Sequence, residues 1–178
     1  MDQSAPPSNL TPPPRRIVVM GVSGCGKSTL ARALAERLGY AMIEGGDLHP
    51  PENLAAMAAG HPLDDAMRAP WLDRIANRME VALQESAGSI AACSALKRAY
   101  RNRLAQHGPV YFLHLALPLD AARSRMTGRQ DHFMPPALAA SQAALLEPLA
   151  PGEPGRTLGA TRSPRQLLDM VLEGLPGA

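Results

Sequence analysis

The stretch from Arg16 to Leu38 constrains this chain most. Arg16 to Met20 is a short apolar, β-branched run, as expected of a buried strand. Gly21, Val22, Ser23, Gly24, Cys25, Gly26, Lys27, Ser28 and Thr29 follow, fitting the pattern G-x-x-x-x-G-K-[ST] at every defined position. Thr29 to Leu38 then reads as a helix, with Leu30, Ala31, Leu34 and Leu38 on one face and Arg32, Glu36 and Arg37 largely on the other. A strand, a glycine-rich turn and a helix N-terminus together make an anion site. Backbone N–H groups point outward and the helix dipole favours negative charge. In this pattern Lys27 reaches the β- and γ-phosphates and the Ser28 hydroxyl ligates Mg²⁺.

The rest of the chain says what such a loop serves. At 178 residues it is long enough for one domain with a sizeable core. Aromatic residues are 3%, so that core must be mostly Leu, Ala, Val, Ile and Met. A net charge of +2, with basic residues scattered among acids, argues against a nucleic-acid partner. No apolar run approaches the roughly 20 residues of a membrane span. Cys25 and Cys93 have no metal-ligand spacing, and a disulfide at Cys25 would distort the loop. The expectation is a reduced, cytoplasmic protein without a secretion signal.

Residues 1–14 are proline-rich and read as a disordered leader, leaving 15–178 as the folded domain. Further strands are expected at Tyr40 to Ile43, Ser89 to Ser94, Val110 to Ala116 and Arg156 to Ala160. Helices are expected at Pro51 to Ala59, Trp71 to Ser86, Ala95 to Leu104, Leu119 to Thr127, Ala137 to Leu146 and Pro164 to Glu173, and Gly60 to Pro70 reads as a turn-rich connection. Strand and helix thus alternate about five times. That alternation predicts an α/β fold with a five-stranded parallel sheet and helices on both faces, the three-layer α/β/α arrangement of P-loop kinases.

Ligands in open α/β sheets sit beyond the carboxyl ends of the strands. That places Glu44, Asp47 and His49 near the phosphate loop, although each could instead cap, solvate or pack a strand end. Trp71 could line the site or simply pack in the core. Among the basic residues of the fourth helix, Lys97 and Arg101 stand out by spacing. Arg125, Arg129 and His132 lie in a basic segment of about 125–136 that reads as a lid over transferring phosphates. No guanine-reading N-K-x-D segment is present. A small chain with these parts points to a kinase for a small acceptor. In such an enzyme a carboxylate orients the acceptor hydroxyl, and Glu44, Asp47, Asp64 and Asp65 are the candidates.

A more specific resemblance runs from about residue 16 to 148. The segments Glu44-Gly45, Leu48-His49-Pro50, Pro62-Leu63, Arg68, Pro70-Trp71-Leu72, Cys93 to Lys97, Tyr100-Arg101, Arg129 to Met134, Ser141-Gln142 and Leu146 to Pro148 resemble the gluconokinases. The resemblance implies ATP- and Mg²⁺-dependent phosphorylation of D-gluconate at its 6-hydroxyl. It implies catalytic roles for Lys27, Asp47, Arg125 and Arg129, and acceptor contacts from Glu44, Asp47, His49, Arg68, Lys97, Arg101 and His132. Similar kinases are often homodimers. The chain departs from the family pattern at Gly46 and Met67, where acids are usual, at Asn102 and at Ala160. The loss at Gly46 keeps two alternatives open: a nucleotide-binding paralogue of little or no activity, or a kinase for another sugar acid or polyol.

Overall fold

The computed structural model describes residues 12–127 and 137–177. Five strands, β1 (Arg16–Met20), β2 (Ala41–Glu44), β3 (Ser89–Ala92), β4 (Tyr111–Ala116) and β5 (Gly155–Gly159), form one sheet in the order β2-β3-β1-β4-β5. Every pairing is parallel. β1 is central and its Ile17, Val18, Val19 and Met20 are fully buried, which is why it is apolar at every position after Arg16. The register sets Val19 beside Ala92, and Ala92 beside Glu44. The carboxyl ends of β1, β2 and β3 therefore open at one edge.

Among the described residues seven α-helices connect and cover the strands: α1 (Lys27–Leu38), α2 (Pro51–Ala58), α3 (Asp65–Glu85), α4 (Arg98–Leu104), α5 (Leu119–Thr127), α6 (Ala137–Leu145) and α7 (Pro164–Gly174). α1 packs with α7, and α3 packs with α4, giving the expected layers around the sheet. Leu30, Ala31, Leu34, Ile75, Met79 and Leu72 fill the interior from these helices. Ser163 starts α7 with a reciprocal capping box to Gln166.

Two helix starts differ from the sequence expectation by three residues or more. α3 begins at Asp65, not at Trp71, and carries Pro70 inside it. The Asp64 side chain accepts the Met67 N–H at 2.7 Å and fixes the start, so the helix forms despite the hydrogen bond that proline removes. α4 begins at Arg98, because Ala95 adopts φ 45 and breaks the chain direction after β3. Lys97 is thus the residue before the helix instead of lying one turn inside it. The leader assigned to residues 1–14 falls outside the described residues up to 11, and the lid segment does so from 128 to 136.

Candidate active site

The phosphate loop sits where β1 meets α1. Gly24 (φ 84) and Gly26 (φ 95) take left-handed backbone, and a Cβ on Gly24 would lie 2.8 Å from the Ala122 carbonyl oxygen. Gly26 is the N-cap of α1 and gives it no side-chain cap, so the first-turn N–H groups stay directed at the cleft. Lys27 Nζ donates to the Val22 carbonyl at 3.0 Å, holding the ammonium back across its own loop.

A cleft lies over the loop, lined by Ser23, Lys27 and Ser28 on one side and by Glu44, Gly46, His49 and Trp71 on the other. A second, much narrower cavity adjoins it and shares His49, Trp71, Ser94 and Gln142 with it. Arg68 and Ser141 line that second cavity. A third opens between Gly26, Thr29 and Leu30 of the loop and α1 and the residues Arg125, Arg162, Pro164 and Leu167.

The walls of the first two cavities are tightly organised. The Trp71 indole N–H donates to the Gly45 carbonyl at 2.7 Å, and its ring stacks on His49 at 4.1 Å between centroids. The lone tryptophan thus packs in the core and lines the site at once. The Asn53 amide donates to the Met67 carbonyl at 3.0 Å and to His49 Nδ1 at 3.3 Å. That network assigns the imidazole proton to Nε2. Burial, reinforced by the nearby Arg68 charge, lowers the His49 pKa to about 4, so the ring is neutral near pH 7.

Arg68 is buried. Its Nη1 donates to the Leu63 carbonyl and, at 3.4 Å, to the Tyr100 hydroxyl, and its guanidinium lies 5.6 Å from the Tyr100 ring centre. Tyr100 in turn donates to Asp65, which also binds Lys97 at 2.9 Å. The Lys97 ammonium, and next the Tyr100 hydroxyl, hold the Asp65 carboxyl below its ordinary value. Lys97 therefore braces Arg68 through Asp65 and Tyr100 and does not line either cavity.

The four candidate carboxylates separate cleanly. Asp64 caps α3, and Asp65 binds Lys97. Asp47 is exposed in a 3₁₀ turn, Gly45–Leu48, and is not among the residues that line the cleft, whereas Gly46 is. Glu44 alone of the four lines the cleft. Asp47, expected to act in catalysis, thus stands outside the lining of the cleft in this structure.

Arg101 is also corrected. It is 1% exposed, and its guanidinium is fully engaged by Glu153 and by the carbonyls of Ala95, Leu96, Glu147 and Pro148. It anchors the connection before β5 and does not reach the acceptor cavity. Arg125 does flank the loop, donating to the Ala160 carbonyl at 2.8 Å. Arg129 and His132 lie outside the described residues.

A family profile described as an AAA domain matches residues 17–136. The gluconokinase of Gluconobacter oxydans is 42% identical to this chain over 163 residues, spanning 91% of this chain and 89% of that protein. The chain belongs to the gluconokinase family. A sugar kinase structure from Janibacter sp. superposes with a TM-score of 0.84 at 44% identity, covering 90% of this chain and 94% of that one. The gluconokinase structure from Sinorhizobium meliloti 1021 superposes at 0.80 with 38% identity, covering 92% and 93%.

Against that gluconokinase scaffold, sequence reasoning gave no role to Gln142, Asn53 or Tyr100, which the structure puts at the site. Gln142 Oε1 accepts the Ser23 N–H at 2.7 Å although 119 positions separate them. The Ser141-Gln142 pair was visible, but nothing in a helix sequence says which turn will meet the phosphate loop. No helix among the described residues is long and apolar enough to cross a membrane.

Proposed function

We propose that this chain transfers the γ-phosphoryl group of ATP to the 6-hydroxyl of D-gluconate, giving 6-phospho-D-gluconate and ADP. The observation that carries the reading is the adjacency of the two cavities. The cleft over the phosphate loop borders, through His49, Trp71, Ser94 and Gln142, on a cavity lined by the buried Arg68 and by the neutral His49. Gluconate is a polyhydroxy carboxylate, and such a pocket offers it a cation and hydrogen-bonding groups.

The roles follow from position. The loop N–H groups and Lys27 take the β- and γ-phosphates, which requires Lys27 Nζ to leave the Val22 carbonyl. Arg68 faces the gluconate carboxylate or its neighbouring hydroxyls, and His49 donates through Nε2. Glu44 orients the acceptor hydroxyl and accepts its proton as the O–P bond forms. Arg125, at the edge of the loop, neutralises charge on the phosphates, and Arg129 and His132, which lie outside the described residues, are assigned the same task from the sequence motif alone. The nucleoside occupies the third cavity, which adjoins the loop at Gly26 and Thr29.

Mg²⁺ fits this donor set. Ser28 lines the cleft, and no cluster of three metal-binding side chains exists among the described residues. This ion is commonly held by phosphates, waters and few protein oxygens. When bound, it neutralises charge on the β- and γ-phosphates. We place the enzyme in the cytoplasm, in keeping with its two buried free cysteines.

One observation favours a second reading, a nucleotide-binding relative of low turnover. Gly46 lines the cleft where the family usually carries an acid. Incubation with Mg-ATP and gluconate, followed by mass detection of 6-phosphogluconate, decides. Bound ATP without product refutes the proposed transfer. Product only from another sugar acid or polyol moves the acceptor and keeps the chemistry.

A further inference from the structure

Asn53 meets the site from behind. It stands on α2, is 1% exposed, and lines neither the cleft nor the acceptor cavity. Its Nδ2 donates to the Met67 carbonyl at 3.0 Å and lies 3.3 Å from His49 Nδ1. A backbone carbonyl only accepts, so the atom facing it is the amide nitrogen, and the side chain has one orientation. The second proton of that nitrogen is left for His49. Nδ1 must receive it with a lone pair, which leaves the ring's own proton on Nε2. The imidazole plane is fixed as well. It stacks at 13° on Trp71, whose N–H is held by the Gly45 carbonyl. His49 lines both cavities, and Arg68 lines the second with it. The Nδ1 edge is turned to the wall, so Nε2–H is what the ring offers there. A histidine free to change tautomer could offer a donor or an acceptor; this one offers only a donor.

We infer that Asn53 is a positioning residue for the acceptor: it holds His49 in the Nε2–H form, so that His49 joins Arg68 in presenting donors to the carboxylate of a sugar acid. Two donors, one of them cationic, match the oxygens of a carboxylate. A bare Nε2 would instead set a lone pair against those oxygens and repel them. An aspartate at position 53 reverses the demand. Its carboxylate accepts and so draws the ring proton to Nδ1, as the aspartate of a hydrolytic triad does. This inference deepens the acceptor site proposed above and rests on the kinase reading.

The test joins histidine nitrogen NMR to calorimetric binding of gluconate in the presence of Mg-AMPPNP. Both are run at pH 8 on the wild-type chain, on Asn53→Asp and on the double variant Asn53→Asp/His49→Gln. His49 starts from a pKa of about 4, so its ring stays neutral at that pH beside the new carboxylate. The wild-type His49 should show the Nε2–H pattern, and Asn53→Asp the Nδ1–H pattern. Gluconate should bind Asn53→Asp about tenfold or more weakly, the size of one hydrogen bond to a charged group, with AMPPNP changed less than threefold. The double variant should recover most of that loss, since a glutamine amide at 49 donates whatever stands at 53. An Nδ1–H ring in wild type would overturn the inference. So would an Asn53→Asp ring that keeps its Nε2 proton, or one that loses it and binds gluconate as before. A loss that His49→Gln does not restore would mean general damage to the wall and also overturn it. Should Asn53→Asp fail to fold, wild type decides, because the His49 Nε2 resonance must shift with gluconate, and an unmoved resonance refutes the contact. Failure of wild type to bind gluconate would sink the acceptor reading itself, and the tautomer, which is measured without substrate, shows which of the two has failed.

Discussion

Replacing Arg101 by methionine separates a structural cation from a substrate cation. Arg101 Nε and Nη2 grip the Glu153 carboxylate at 2.7 and 2.9 Å. The remaining donors satisfy four backbone carbonyls, and the two side chains of the pair are 1% and 8% exposed. Arg101→Met leaves the carboxylate and these carbonyls without their partner. Removing one member of a buried pair costs about 3–5 kcal/mol. In a chain of this size each kcal/mol moves Tm by about 2–4 °C, so a drop of roughly 6–20 °C is expected. The pair also has a pH signature. Arg101 is the main cause that lowers the Glu153 pKa from 4.5 to about 2. A depressed carboxylate contributes stability above its unfolded value and loses it as pH falls through the folded one. The wild-type Tm should therefore decline between about pH 4.5 and 2, and the Arg101→Met Tm should decline less. Circular dichroism melts across that range measure both effects. Steady-state kinetics at 15 °C on the folded variant should show the acceptor KM within twofold of wild type. A KM raised tenfold with an unchanged Tm would refute the argument and return Arg101 to the acceptor.

Lys27→Ala should lower kcat by at least about 10³-fold, because charge neutralisation at the phosphates is most of the catalysis; melts should be close to wild type, and a kcat within tenfold would refute the role. His49 should remain neutral above its pKa of about 4, so the acceptor KM should be flat from pH 6 to 8. Its depressed pKa also means that the unfolded chain takes up the proton first, so stability falls as pH drops from 6.5 towards 4, measurable as a smaller loss in His49→Gln. Cys93 is buried, and that burial pushes its thiol up to about 12, so a disulfide reagent at pH 8 should leave it unmodified until the protein unfolds.

The fold was legible because its signals are local. β1, the phosphate loop and α1 are consecutive, so one stretch declares strand, anion site and helix together. The parallel order followed from alternation, and β4 was nearly continuous in apolar residues because both faces are covered. The acceptor side was legible in outline only. Arg68 and Arg101 are both cations on helices flanking the site. What separates them is Glu153, 52 positions after Arg101, in a connection whose path depends on the rest of the fold. Lys97 reads as a substrate cation until Asp65, 32 positions earlier, is seen to hold it. The start of α3 was hidden by Pro70, since a proline ordinarily marks a helix boundary and the cap at Asp64 is what overrides it.

Gly46 shows where such geometry changes a chemical conclusion. In sequence, the acid missing there has a neighbour, Asp47, and the glycines make a backbone shift to it plausible. In the 3₁₀ turn Asp47 is exposed and outside the lining of the cleft. The turn also leaves room, because a Cβ on Gly46 would meet only the Glu44 Oε1, at 3.8 Å. The carboxylate of Glu44 therefore lies beside the space that a side chain at position 46 would enter. If Glu44 supplies the acid, Glu44→Gln should reduce kcat by about 10²–10⁴-fold. Gly46→Asp should then change kcat less than tenfold, since two carboxylates that close raise each other's pKa and share one proton. A larger gain in Gly46→Asp, with Glu44→Gln nearly silent, would mean that the enzyme lacks its acid and that Glu44 does not replace it.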